Sequence, residues 1–396
     1  MRYLEKLLQG VKVEWKPLAY LESGVAELSR GRVMSKEYLE DNVGKFPVYS
    51  SQTANNGEIG KIRTFDQDGE AITWTTDGAN AGTVFHRIGK FSITNVCGLI
   101  KIKNIEELNY KFLFYWLSIE SKKYVYSGMG NPKLMSNQMA KILIPIPPLE
   151  IQQKIVDILD TFTELTAELT AELTARKKQY NFYRDRLLSF EEGEVKWKSL
   201  GEIGELIRGN GLQKKDFTEV GVPAIHYGQI YTYYGTFATK TKSFVSHDLA
   251  KKLKKINYGD VVITNTSENL DDVGKAVVYL GERQAVTGGH ATIFKPNKNI
   301  LGKYFVYFTQ TAMFASEKKK YAKGTKVIDV SAKDMSKIKI PIPSLKEQER
   351  IVSILDKFDT LTASITEGLP KEIELRKKQY EYYRDMLLTF PKDEQK

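Results

Sequence analysis

Between Lys141 and Phe190 the pattern of apolar and polar residues changes character once. The segment Lys141-Ile142-Leu143-Ile144-Pro145-Ile146-Pro147-Pro148 is apolar and proline-rich, and prolines both exclude helix interiors and push the preceding residue toward extended backbone. It therefore predicts a strand or strap ending near Pro147. Beyond it, Ile155, Ile158, Phe162, Leu165, Leu169 and Leu173, then Tyr180, Tyr183 and Leu187, follow one another mostly at steps of three and four. That spacing draws a narrow stripe like a coiled-coil seam. A helix from Leu149 to Phe190 would be roughly 60 Å long, and its stripe calls for a partner of similar length.

The chain carries that partner. Lys141 to Pro147 recurs 196 residues later as Lys337-Ile338-Lys339-Ile340-Pro341-Ile342-Pro343, and Ile155-Val156, Ile158-Leu159-Asp160 and Phe162 recur as Ile351-Val352, Ile354-Leu355-Asp356 and Phe358. The register then lengthens by four residues, because Arg176-Lys177-Lys178-Gln179-Tyr180 recurs as Arg376-Lys377-Lys378-Gln379-Tyr380, with Tyr183-Arg184-Asp185 recurring as Tyr383-Arg384-Asp385. The second copy has its extra apolar turn among Leu361, Ile365, Leu369 and Ile373. Gly368 and Pro370 fall in that turn and predict a kink or a restart. The repeat is also circular: Val13-Glu14-Trp15-Lys16-Pro17-Leu18 resembles Val195-Lys196-Trp197-Lys198-Ser199-Leu200, so the N-terminal stretch completes a unit whose helix arrives from the C-terminal end.

Outside the repeats, short apolar runs broken by Gly, Asn and Asp predict strands and turns. In the first half the strands are placed at Phe46 to Tyr49, Ala71 to Trp74, Thr83 to Phe85 and Leu99 to Ile102, with a helix over Ile105 to Ser121. In the second half they fall at Val222 to Ile225, Val261 to Ile263, Ala276 to Tyr279 and Ala291 to Phe294, with a helix near Leu301 to Ser316. Two α+β domains of one plan with different loop sequences result.

Two copies of a Pro-Ile-Pro, Gln, Ile-Val, Ile-Leu-Asp helix, each behind a more variable segment, resemble the specificity subunit of a type I restriction-modification system. Thr166-Ala167-Glu168-Leu169-Thr170-Ala171-Glu172-Leu173 is similar to the Thr-Ala-Glu-Leu spacer repeat of some members of that family. The resemblance implies an α+β chain: two similar target recognition domains, separated by two long antiparallel helices that form a coiled coil, in a pseudo-twofold circular repeat. The segments it implies are a first recognition domain over 1–146, a central spacer helix over 147–190, a second recognition domain over 191–342, and a C-terminal spacer helix and tail over 343–396. It further implies a non-catalytic subunit that binds a bipartite, asymmetric double-stranded DNA target. Two methyltransferase subunits and restriction or translocase subunits assemble on it, and they, not this chain, use S-adenosylmethionine, ATP and Mg. The residues expected to carry the helical interface are Ile155, Leu159, Phe162, Tyr180 and Tyr183 with Ile351, Leu355, Phe358, Tyr380 and Tyr383. A coiled-coil scaffold, or a DNA-binding regulator without a restriction-modification role, is the competing reading.

Composition narrows this only slightly. A net charge of +10, from 59 Lys and Arg against 49 Asp and Glu, suits a polyanionic partner but is common among soluble proteins. A single cysteine, Cys97, excludes an internal disulfide framework and fits a reducing, cytoplasmic setting. No run of about 18 apolar residues marks a membrane span.

Candidate chemistry lies in loops. Gln52, Asn55 and Asn56, then Thr76, Asp77 and Asn80, offer amides, hydroxyls and a carboxylate beside glycines, and their second-half counterparts are Tyr227 and Gln229, then Asn265, Ser267 and Asn269. Amides pair with adenine edges and carboxylates with cytosine, although the same residue types also simply form turns. Basic turns after each domain helix, Lys122 through Gly128 and Gly130 to Lys133, and Lys318 through Lys323 to Lys326, suit phosphate neutralisation or a solvated helix end. The repeated Arg-Lys-Lys-Gln-Tyr clusters suit protein docking better than DNA. No phosphate-binding Gly-x-x-x-x-Gly-Lys loop occurs, and Asn131 is followed by a single proline, unlike the Asn-Pro-Pro-aromatic stretch of amino-methyltransferases. The histidines His86, His226, His247 and His290 have no metal-ligand spacing, and the expectation for each is a loop or core position.

Overall fold

A computed structural model describes residues 3–8, 10–20, 22–127, 130–191, 193–364 and 366–391; Gly128 and Ile365 of the sequence reading lie outside them. The chain forms two compact units, one of Met1–Ala167 with Leu375–Lys396 and one of Glu168–Glu374. These differ from the four segments read from the sequence, because each spacer helix is shared between the units rather than forming a segment of its own.

In the first unit two straps pair and close the repeat. Glu14–Pro17 pairs antiparallel with Leu143–Ile146, Glu14 facing Ile146 and Trp15 facing Pro145. A four-stranded antiparallel sheet follows in the order Ala26–Arg30, Cys97–Ile102, Glu70–Thr75, Val84–Ile88. A second sheet, in the order Glu58–Ile62, Val43–Tyr49, Ser92–Ile93, contains one parallel pair. Trp74 on the central strand is fully buried, and a Cβ at Gly98 on the neighbouring strand would stand 2.3 Å from its ring, so only glycine fits there.

The second unit repeats the plan. Lys196–Ser199 pairs with Lys339–Ile342, Trp197 facing Pro341 as Trp15 faces Pro145. Gly204–Arg208, Ala291–Pro296, Val261–Thr264 and Ala276–Tyr279 take the order of the first unit's main sheet, with Phe237–Ala238 added at the edge. Val222–Ile225 and Ala285–Thr287 supply the parallel pair within a five-stranded second sheet.

All eight expected strands are present, but both domain helices differ from expectation. The first begins at Tyr110, because the Asn109 side chain accepts from the amides of Lys111 and Phe112 and so caps it. The second is two helices, Gly302–Thr309 and Ala312–Lys319, because the Thr311 hydroxyl accepts from the Phe314 amide and starts a new helix.

The first long helix is continuous over Leu149–Leu187, 39 residues. The second copy is interrupted, running over Leu345–Ala363 and then Gly368–Leu387. Gly368 has φ +80°, and a Cβ there would lie 2.3 Å from the carbonyl oxygen of Thr360, so the restart falls where the glycine and proline predicted it.

Within the first unit Phe162 stacks on Tyr383 at 5.1 Å, while Ile155 and Leu159 share one core with Leu387 and Leu388. The two helix segments there run antiparallel. The second unit does the same with Phe358 stacked on Tyr183 at 5.7 Å, and Ile351 and Leu355 in a core with Leu188. Ile155, Leu159, Ile351 and Leu355 are fully buried. They pack inside each unit, in the seam where the two helix segments meet.

Candidate nucleic-acid interface

Each recognition domain is seated on its long helix by the same two side chains. Gln152, fully buried, accepts from the Asn109 amide at 2.9 Å and donates to the carbonyls of Glu107 and Pro147, both at 2.8 Å. Gln348 accepts from the Leu301 amide and donates to the carbonyls of Asn299 and Pro343, all at 2.9 Å. Asp160 accepts from Lys111 at 2.5 Å and from the Tyr115 hydroxyl at 2.6 Å; Asp356 accepts from Lys303 and the Tyr307 hydroxyl, both at 2.7 Å. Burial and the adjacent Asp160 push the Tyr115 hydroxyl pKa up, so it stays a donor. The repeat contained these residues, but sequence gave them no role.

With the domain fixed, three loops converge at one edge. In the first unit, the chain leaving strand Val43–Tyr49 turns through Ser50 to Gly57, with Asn55 and Asn56 at φ 48° and 54°, a conformation asparagine tolerates better than most residues. The chain leaving the central strand passes through Thr76, Asp77 and Asn80. Asn80 donates to the Thr53 hydroxyl at 3.1 Å and ties the two loops. The basic turn folds back as a third member: Lys133 pairs with Asp77 as a backbone bridge and approaches its carboxylate at 3.7 Å, and the Leu134 amide donates to the carbonyl of Thr76. Gln52, Asn55, Asn56, Asn80 and Lys133 are exposed there. Thr76 is not: its buried hydroxyl donates to Asp77 at 2.6 Å and lies 2.9 Å from the carbonyl of Val96, so it shapes the loop instead of presenting an atom to a base.

The second unit assembles the same edge from other residues. Asn265 occupies the place of Thr76, its amide donating to the carbonyl of His290 and its carbonyl accepting from Val330. Thr266–Ser267 then pairs with Ile328–Asp329 of the basic turn. Asn265 is fully buried and so is not a surface reader. Two further expectations change because the amides are already committed. Gln229 accepts from the His226 amide at 3.2 Å and donates to Ser243 at 2.6 Å, and Asn269 holds Asp272 through both its side-chain atoms at 2.8 Å. Tyr227 and Ser267 are half-buried at the edge, and Lys326 is exposed. Lys323 is exposed too, but its amine bonds Asp334 at 3.1 Å; Lys337 and Lys323 hold that carboxyl well below the usual carboxylate range.

Two residues not nominated from sequence stand at these edges. His290 is exposed, its Nδ1 lies 3.0 Å from the Thr266 hydroxyl, and its ring packs 4.9 Å from that of Tyr227. It sits in a turn, one of the two kinds of position expected of the histidines. His226, by contrast, is buried, has its pKa pushed down by that burial, and caps a helix through Nδ1. Arg87 lies buried beneath the Asn55–Asn56 turn and donates to the carbonyl of Asn56 at 2.8 Å. Among the described residues no group of three or more His, Cys, Asp or Glu is placed to hold a metal ion, and no helix is long and apolar enough to cross a membrane.

Comparison with known proteins agrees with this arrangement. The model of the family described as the type I restriction modification DNA specificity domain matches residues 19–176 and 192–375. The chain is 37% identical to the specificity subunit of the type I restriction enzymes EcoR124I and EcoR124II of Escherichia coli, over 100% of this chain and 98% of that one. It is 35% identical to a putative type I restriction enzyme specificity subunit of Haemophilus influenzae, over 98% of each. The crystal structure of a type I restriction-modification S subunit from M. genitalium has the same fold, with a TM-score of 0.61, 18% identity and 97% of each chain covered.

Proposed function

The chain belongs to the type I restriction-modification DNA specificity family, and from that membership we propose that it selects the DNA sequence on which a restriction-modification complex acts. Each recognition domain reads one half of a bipartite target, and methyltransferase and restriction subunits assemble on the chain. The observation that carries this reading is the paired edge. One frame of strands, straps and seat bonds is built twice, and at the same place in each copy three loops converge with different side chains. Two different edges on one frame call for two different half-sites, so the target is asymmetric.

In this reading Gln52, Asn55, Asn56, Asp77 and Asn80 face bases of one half-site, and Tyr227, Ser267 and His290 those of the other. Lys133, Lys323 and Lys326 meet phosphates, which position the protein without reading sequence. The subunits that dock do so on the outward faces of the long helices, where Phe182 and Tyr382 are exposed at corresponding positions of the two copies. This chain contributes no catalytic group; S-adenosylmethionine, ATP and Mg serve the partner subunits, and the complex works in the cytoplasm.

The test is methylome sequencing of cells carrying this chain with its methyltransferase, before and after residues 18–142 are replaced by those of another member. Both strap strands of the first unit lie outside that exchange. The expected result is one changed half-site and one retained. Two unchanged half-sites, or methylation without sequence preference, would overturn the reading.

A further inference from the structure

Arg87 is 3% exposed and has no carboxylate within 4 Å among the described residues. Its guanidinium lies over the Tyr49 ring at 3.6 Å and the Phe85 ring at 4.6 Å, donates from Nε to the Thr73 hydroxyl at 3.1 Å and from Nη2 to the carbonyl of Asn56 at 2.8 Å. Glu58, the acidic residue that acts on it at longer range, lies 4.0 Å from Lys61. Cys97, in the same pocket, has its thiol pushed up to about 12 by burial and is neutral. Burial lowers the pKa of Arg87 itself, as it must for a cation with no counter-ion.

The second unit shows that the fold does not need this charge. The carbonyl of Thr76 and that of Asn265 accept from Leu134 and Val330 at matching points, which aligns the two central strands. On that alignment Arg87, opposite Ala71, corresponds to Tyr279, whose amide donates to the carbonyl of Asp260. Tyr279 is buried and neutral, in an apolar cluster with Val262, Val277 and Ile293, and its hydroxyl donates to the carbonyl of Arg283. A buried ion without a partner is costly, and apolar replacements are commonly tolerated or stabilising. Here the same frame carries the apolar solution in one copy and the unpaired cation in the other, directly under the turn that holds Asn55 and Asn56.

We propose that Arg87 is a positioning residue of the first recognition edge: its fork holds the Gln52–Gly57 turn in its left-handed form, and its uncompensated charge is completed by the phosphates of the first DNA half-site. The inference rests on the DNA-reading function proposed above. The charge sits behind the loop rather than on it, so it favours DNA without offering a mobile surface side chain to other anions.

The experiment uses the full chain assembled with its methyltransferase subunits. The probes are a duplex carrying the methylated sequence mapped in cells with the unaltered complex, and duplexes with the first, the second or both half-sites scrambled. For Arg87→Met, the thermal midpoint of the chain stays level or rises. Affinity for the complete site falls about tenfold or more at moderate salt, and the slope of log affinity against log salt becomes shallower by about one, the loss of one neutralised phosphate. Discrimination at the second half-site is retained. Arg87→Lys keeps the slope but loses base discrimination in the first half-site, because one ammonium cannot hold Thr73 and Asn56 together as the fork does. An unchanged salt slope in Arg87→Met, or a chain that no longer folds, makes the residue a packing element and overturns the proposal. An unaltered complex that does not distinguish its site from the doubly scrambled duplex overturns the DNA-reading function instead.

Discussion

Replacing Gln152 by Leu tests how the first recognition domain is held on its helix. The side chain is fully buried and its three bonds all go to backbone: the amide of Asn109 and the carbonyls of Glu107 and Pro147. Leucine fills nearly the same volume but leaves all three without a partner. The two partly buried groups cost about 1 kcal/mol each and the buried Pro147 carbonyl about 2. Against this, leucine gains about 1 kcal/mol of apolar burial. The net loss is then about 3 kcal/mol, a factor of roughly 150 in the local opening equilibrium. Hydrogen exchange of peptides over residues 104–121 measures it directly, with chemical denaturation of the first unit as a second readout. Gln152→Glu sharpens the test, since a carboxylate still accepts from Asn109 but faces two carbonyls with no proton to give. It should be at least as damaging at neutral pH and partly recover in acid, where the protonated carboxyl donates again. A loss below about 1 kcal/mol for Leu, or a Glu variant indifferent to pH, would refute the reasoning.

Three other outcomes are expected. Asp359 is held above its ordinary carboxylate pKa, chiefly by burial and further by neighbouring Asp356, so the folded state binds its proton more tightly than the unfolded state. Its stabilising contribution is full below the unfolded pKa and lost as pH rises through the folded one. Asp359→Asn, which can still accept from Thr236, should raise the thermal midpoint near neutral pH with an advantage that shrinks toward pH 4; a constant advantage would remove burial as the cause. Ile155→Asp combined with Leu159→Asp places two carboxylates in the first unit's core and should cost several kcal/mol, on the order of 5. That unit should then unfold before any question of docking arises, as seen by circular dichroism; a folded variant that assembles normally would contradict the packing described. Inserting one Thr-Ala-Glu-Leu unit after Leu173 lengthens the helix by about 6 Å and turns its far end by about 40°. Methylome sequencing should show both half-sites kept with a wider spacer, whereas a two-residue insertion should abolish assembly. Altered half-site bases with an unchanged spacer would reject the helix as the ruler.

What sequence made legible was whatever depends on pattern along the chain. The straps, the circular repeat and the restart at Gly368 all follow from repetition, periodicity and proline and glycine chemistry, whereas the pairing of Trp15 and Trp197 with Pro145 and Pro341 came only with the structure. What it missed depends on who satisfies whom. Gln229 and Asn269 have the residue type of a base reader, yet Ser243, the His226 amide and Asp272 consume their hydrogen-bonding groups. The partner sets are distant in sequence or local in a way that composition does not reveal. Arg87 shows the converse: a basic residue in an unremarkable strand acquires meaning only when no carboxylate among the described residues proves to lie within 4 Å of it. Short strands such as Ser92–Ile93 and Ala285–Thr287 were equally hidden, because two or three residues carry no period and exist through the strands they pair with.

The two units also show why the edges can differ while the frame does not. The recognition segment of each enters and leaves through one antiparallel strap pair, Glu14–Pro17 with Leu143–Ile146 in the first and Lys196–Ser199 with Lys339–Ile342 in the second. Its helix is seated by backbone groups bonded to a glutamine just after the strap, and by a lysine and a tyrosine bonded to an aspartate further along. Backbone partners impose no demand on side-chain identity, and neither anchor touches the loops at the far edge. A substitution in those loops therefore leaves every seat bond intact, while a substitution at Gln152 or Asp160 disturbs the seat without altering a single side chain of the loop edge. This separation predicts opposite signatures for the two kinds of variant: edge substitutions should change which sequence is methylated at unchanged stability, and seat substitutions should weaken methylation of an unchanged sequence.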